Sequence, residues 1–201
     1  GVPRGVFNLV NGAGSALGGL LASHPLVDMV SVTASTPVGA ATARAAADSV
    51  KRVSQELGGK SANIILDDVV DVEKVVKNGV KACMRNSGQS CNAPTRMLVA
   101  RAIYDQAVDV AARVAEGLVV GDPWAADTFL GPVAGKRQYE TVINHIRTGL
   151  VQGARLVAGG TARPGGLTRG YYVKPTVFAD VENSMVIARQ EIFGPVLCLI
   201  P

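Results

Sequence analysis

Aromatic residues make up only 4% of the 201 positions, tryptophan occurs once and histidine twice. Each scarcity removes a function class. Binding of single-stranded nucleic acid uses aromatic rings interleaved with basic side chains, and here the basic residues are scattered. The net charge of +4 is a modest excess, so no nucleic-acid partner is expected. His24 precedes Pro25 and His145 falls in a helical pattern, neither with a His or Cys at ligand spacing, so no metal site is expected. No apolar run approaches the ~18 residues of a membrane span, and Gly1 opens no leader-like segment, so no membrane association is expected. Three cysteines, Cys83, Cys91 and Cys198, form neither a C-x-x-C pair nor a disulfide framework; free thiols in a reducing, cytoplasmic setting are the expectation.

What is present is ample apolar material. With 48% hydrophobic and 18% charged residues, the chain can bury a core in one or two domains. Phe7–Val10 reads as a short buried strand, Ala16–Ala22 as an apolar stretch after a glycine turn, Val27–Thr33 as a strand, Val38–Val50 as a helix and Val53–Leu57 as a strand. Short apolar strands alternating with helices imply an α/β class with parallel βαβ units and ligand loops at the strand carboxyl ends. After Gly58-Gly59 the pattern changes, which places a domain boundary there. Val72, Val76, Val80 and Cys83 follow Asp71, a candidate N-cap, at helical spacing, so Cys83 is expected on a buried stripe as an inert thiol. Met97–Val99 is strand-like, Asp105 is a candidate cap for a helix ending at Gly117, and Tyr139–Leu150 carries a further helix. Ala158–Gly170 reads as a loop before a strand over Tyr171–Phe178. Val196–Ile200 reads as a last buried strand, without visible neighbours and with Cys198 inert in it.

Cys91 stands apart, in Asn86-Ser87-Gly88-Gln89-Ser90-Cys91-Asn92-Ala93-Pro94. A thiol attacks as thiolate, so it needs a loop that exposes it and a polar environment. Gly88 and Gln89 suit such a loop, and neighbouring backbone N–H groups could face a developing oxyanion. Glu56, in Glu56-Leu57-Gly58-Gly59-Lys60, could activate water. Two glycines between Glu56 and Lys60 argue against a helix and for a strand end followed by a turn. Gly12-Ala13-Gly14-Ser15-Ala16-Leu17-Gly18 resembles a dinucleotide fingerprint with one residue too many in its second spacer, and reads better as helix–strand packing. Thr33-Ala34-Ser35-Thr36-Pro37-Val38-Gly39 can bind phosphate through hydroxyl and N–H groups at a helix start, or Ser35 or Thr36 can simply cap that helix.

Glu56-Leu57-Gly58-Gly59-Lys60, Gly88-Gln89-Ser90-Cys91 and Glu191-Ile192-Phe193-Gly194-Pro195-Val196 occur in that order. Gly131-Pro132 and Lys174-Pro175-Thr176-Val177-Phe178 lie between them. In this the chain resembles the aldehyde dehydrogenase superfamily from Gly1 to Pro201, as an internal segment of a family chain more than twice as long. The resemblance implies a fold: residues 1–58 as the last part of a Rossmann-like parallel-sheet cofactor domain, residues 59–201 as most of an α/β catalytic domain. It also implies an NAD(P)-dependent oxidation of a small-molecule aldehyde to a carboxylic acid. Cys91 would be the nucleophile and Glu56 the base for the deacylating water. NAD, favoured over NADP, would be held by Thr33, Ser35 and Gly39, with Leu57 and Gly58 beside the nicotinamide, Glu191 on its ribose and Phe193 packed on its ring. The family forms homodimers or homotetramers. The sequence departs from the family pattern at Val32, Ala34 and Gln190, where the family has Phe, Gly and an acid. The family's asparagine oxyanion donor would lie upstream of Gly1, so the segment alone is expected to be nearly inactive. Transfer of the acyl group to CoA, a cofactor-free esterase activity, and a catalytically silent scaffold are the alternatives.

Overall fold

A computed structural model describes every residue from Gly1 to Pro201 except the side chain of Ser15. The chain forms two compact units, Gly1–Gly58 and Gly59–Pro201.

In the first unit, helix α1 (Gly14–Ser23) and helix α2 (Thr36–Ala47) accompany two parallel strands, β1 (Met29–Thr33) and β2 (Arg52–Glu56). Their register pairs Thr33 with Glu56 at the carboxyl end, where the Ala34 N–H donates to the Glu56 carbonyl at 3.0 Å. α2 starts where the sequence directs it: Ser35 occupies the N-cap position and Pro37 the first turn, where its missing N–H costs nothing. Phe7–Val10 forms no strand. Phe7 is 79% exposed, and no neighbouring strand offers this segment hydrogen bonds, so its apolar character alone does not order it as a strand.

The second unit is built on a five-stranded sheet in the order β3 (Ala62–Ile65), β4 (Arg96–Val99), β7 (Val196–Ile200), β6 (Thr176–Ala179), β5 (Arg155–Ala158). All pairs are parallel except β5 with β6. Helices α3 (Val72–Met84) and α4 (Tyr104–Glu116) cover one face; α5 (Lys136–Val151) and the single turn α6 (Val186–Arg189) cover the other. β7 shows the alternation clearly. Leu197 and Leu199 enter the α3/α4 core, while Val196, Cys198 and Ile200 enter the α5/α6 core. A strand buried on both faces is apolar throughout, and β7 has both neighbours in place, contrary to the expectation from sequence.

Asp71 caps α3, accepting from the Lys74 N–H at 2.9 Å. Asp105 instead lies in the first turn of α4, whose N-cap position is Ile103; a carboxylate there still favours the helix through its dipole. The strand expected from Tyr171 begins only at Thr176, because only Thr176–Ala179 has partners in the sheet.

Candidate active site

The second unit gathers three of the singled-out loops by topology. Residues 59–61, 86–95 and 190–195 lead into β3, β4 and β7, three adjacent parallel strands, so they meet along the amino edge of the sheet. This is the opposite edge from the one the βαβ pattern predicts for ligands.

Cys91 lies on an exposed turn. The chain reaches it from α3 through Asn86, Ser87 and Gly88, with φ of 52°, 55° and 70°. Left-handed backbone is natural for glycine, tolerable for asparagine and unfavourable for serine. The Ser87 hydroxyl donates to the Gly131 carbonyl at 2.8 Å, and the Ala134 N–H donates to Gln89 Oε1 at 2.8 Å. Gly88 packs directly on the Gly194 carbonyl and the Pro195 nitrogen, so a Cβ has no room there. The second and third motifs are therefore in contact.

Gly59, the first residue of the second unit, meets both. Its N–H points to Glu191 Oε1 at 3.4 Å, and a Cβ on it would stand 2.9 Å from the Cys91 carbonyl oxygen. Phe193, 37% exposed, adopts φ 52°. From the first turn of α5, Gln138 Nε2 donates to the carbonyls of Ile192 and Phe193 at 2.9 and 2.8 Å. Gly194 lies against Val142 of the same helix. Ser87 and Gln138 were not singled out from sequence, and Gln89 was read only as a loop residue; their partners are too distant along the chain for any local pattern to announce them.

The other thiols are closed off. Cys83 Sγ contacts the Val196 carbonyl at 3.7 Å and Cys198 Sγ the Ile187 carbonyl at 3.4 Å. Burial pushes their pKa values up to about 12 and about 11. Lys60, next to Gly59, has an amino group buried without a hydrogen-bond partner, and desolvation lowers its pKa.

In the first unit Thr33 and Glu56 are both exposed at the carboxyl end of the strand pair. Ser35 is exposed, and its hydroxyl makes no capping hydrogen bond to α2. Gly39 is buried against Leu57, and Gln55 Nε2 donates to its carbonyl at 2.6 Å. Both Gly39 and Leu57 thus have a helix–strand packing task. Gly58 is half-buried at the end of this unit. Among the described residues no three His, Cys, Asp or Glu side chains could hold a metal ion, and no helix is long and apolar enough to cross a membrane.

The whole chain, residues 1–201, matches the aldehyde dehydrogenase family. It belongs to that family. A 3-succinoylsemialdehyde-pyridine dehydrogenase of a Pseudomonas species is 55% identical over 201 residues, all of this chain and 42% of that protein. Aldehyde dehydrogenase C of Pseudomonas syringae, a cysteine-to-alanine mutant in complex with NAD+ and octanal, superimposes with a TM-score of 0.97 at 53% identity. That match covers 100% of this chain and 41% of the other. An aldehyde dehydrogenase of Bartonella henselae gives 0.96 at 51% identity, covering 100% and 42%. The chain therefore has a partial aldehyde dehydrogenase fold and spans about 42% of the curated relatives it matches.

Proposed function

We propose that the chain is the nucleophile-bearing part of an NAD(P)-dependent enzyme that oxidises an aldehyde to a carboxylic acid, with residues 1–58 as part of a cofactor domain and residues 59–201 carrying the nucleophile. One observation carries this reading: Cys91 is exposed on a turn that Gly59, Gly88 and the Glu191–Pro195 loop assemble, while Cys83 and Cys198 are buried.

Cys91 as thiolate adds to the aldehyde carbon, forming the C–S bond and leaving an alkoxide. Covalent capture suits an aldehyde, which has no good leaving group. When bound, nicotinamide would supply the acceptor for the hydride that leaves this carbon as the alkoxide re-forms its C=O, giving the Cys91 thioester. Glu56 then accepts a proton from water as the water oxygen attacks the thioester carbon; the C–S bond breaks, releasing the acid and the Cys91 thiolate. The residues suit a dinucleotide. The Ser35 hydroxyl is unengaged at the start of a 12-residue helix, where N–H groups and the dipole favour phosphate. Glu191, held through one carboxylate oxygen by Gly59, can offer the other to ribose hydroxyls. Phe193 is exposed enough to pack on a ring. The NAD+ complex of the Pseudomonas syringae neighbour supports a nicotinamide cofactor; of the two, we propose NAD.

The test is a steady-state assay, with an aldehyde panel and both cofactors, of the complete protein that carries this chain, beside Cys91→Ala, Glu56→Gln and the isolated 201 residues. We expect Cys91→Ala to abolish turnover and Glu56→Gln to stall it after acylation. The isolated segment should lose at least ~10²-fold, the typical cost of a missing oxyanion donor. Full turnover by Cys91→Ala would remove the reading. Product released as a CoA ester would reassign the second half-reaction.

A further inference from the structure

Gly131-Pro132 carries no chemistry of its own, yet it meets the backbone that leads to Cys91. Asn86, Ser87 and Gly88 are consecutive left-handed residues. For Ser87 this conformation is strained, and it persists only where the surroundings over-determine it. The bonds between Asn86 and Gln89 and between Ser90 and Asn92 stay inside the loop and cannot fix it to the rest of the protein. Among the described residues, two hydrogen bonds made by side chains of residues 86–92 leave the loop, and both end in one short segment. The hydroxyl of Ser87, itself 4% exposed, reaches the Gly131 carbonyl, and Gln89 Oε1 receives the Ala134 N–H, each at 2.8 Å.

That segment is stiff. Pro132 has a fixed φ. Val133 is 2% exposed within the α5 core, and its N–H donates to the Tyr171 carbonyl at 3.0 Å. Gly131 lies against Pro123. We propose that Gly131–Ala134 is a brace for the nucleophile loop, and that Ser87 and Gln89 are positioning residues that set Cys91 through it. This rests on the reading of Cys91 as nucleophile and adds what holds the sulfur in place.

The experiment uses the complete protein with Gln89→Met, Gln89→Glu and Ser87→Ala beside Cys91→Ala. It measures kcat, KM for NAD+ and the rate of iodoacetamide labelling at the Cys91 peptide. A displacement near 1 Å of a reacting group costs up to ~10²-fold, so Gln89→Met is expected to lower kcat by about 10- to 100-fold and to change the labelling rate. KM for NAD+ should stay within about twofold, because the loss is confined to the reacting sulfur. Gln89→Glu is expected to recover most of the rate, since a carboxylate oxygen still accepts the Ala134 N–H. Ser87→Ala should show the same kcat-selective loss, and it decides the matter if Gln89→Met does not fold. Parental kcat in Gln89→Met or, failing that, in Ser87→Ala overturns the brace, as does a Gln89→Glu enzyme no better than Gln89→Met. Activity retained by Cys91→Ala overturns the functional reading itself, an outcome separate from these.

Discussion

Burial separates three chemically identical side chains. Cys83 and Cys198 belong to the two cores on opposite faces of one sheet, while Cys91 is exposed. The burial of Cys83 was legible because a helical stripe of valines leads to it, and that of Cys198 because it lies in an apolar strand. The supports of Cys91 were not legible. Ser87 and Gln89 bond 44 and 45 residues along the chain, and nothing in their local spacing reports so distant a partner. Gly88 could be read as a loop residue, but not as one whose missing Cβ makes room for the Gly194 carbonyl. Gly88→Ala adds left-handed strain and an overpacked backbone contact, together about 2–5 kcal/mol. The complete protein carrying it should show a lowered thermal midpoint and altered Cys91 labelling. An unchanged midpoint would mean that the two loops can separate freely.

At the scale of elements, periodicity located helices well and strands unevenly. Amphipathic stripes define α3, α4 and α5, since a helix satisfies its own backbone and needs only one apolar face. A strand depends on partners that the sequence does not reveal. Phe7–Val10 is apolar without becoming a strand, β3 is short and was not read, and β7 has a strand on either side. The turn from α2 to β2 adds a local anomaly: Val50 is 91% exposed with φ 51°. A β-branched residue there is strained, whereas asparagine tolerates that region. Val50→Asn is therefore expected to stabilise the first unit by up to about 1 kcal/mol. An upward shift of the denaturant midpoint checks this; a decrease would show that the valine is held by something other than its exposed turn.

At the scale of the molecule, the α/β class and parallel strand pairs could be anticipated from short apolar strands alternating with helices, and family membership from three short motifs in order. The edge on which the thiol lies could not, because it depends on strand order: β3, β4 and β7 are neighbours in space although β7 comes about a hundred residues after β4 in sequence. Cys91 and Glu56 belong to different compact units, and their division of labour is the central claim. It is tested most directly by mixing the complete Glu56→Gln protein with an aldehyde and NAD+, quenching within the first turnover, and weighing the peptide that contains Cys91. The account predicts one acyl group on that sulfur, accumulating because its hydrolysis is slowed. An unmodified Cys91 while carboxylic acid continues to form would contradict it.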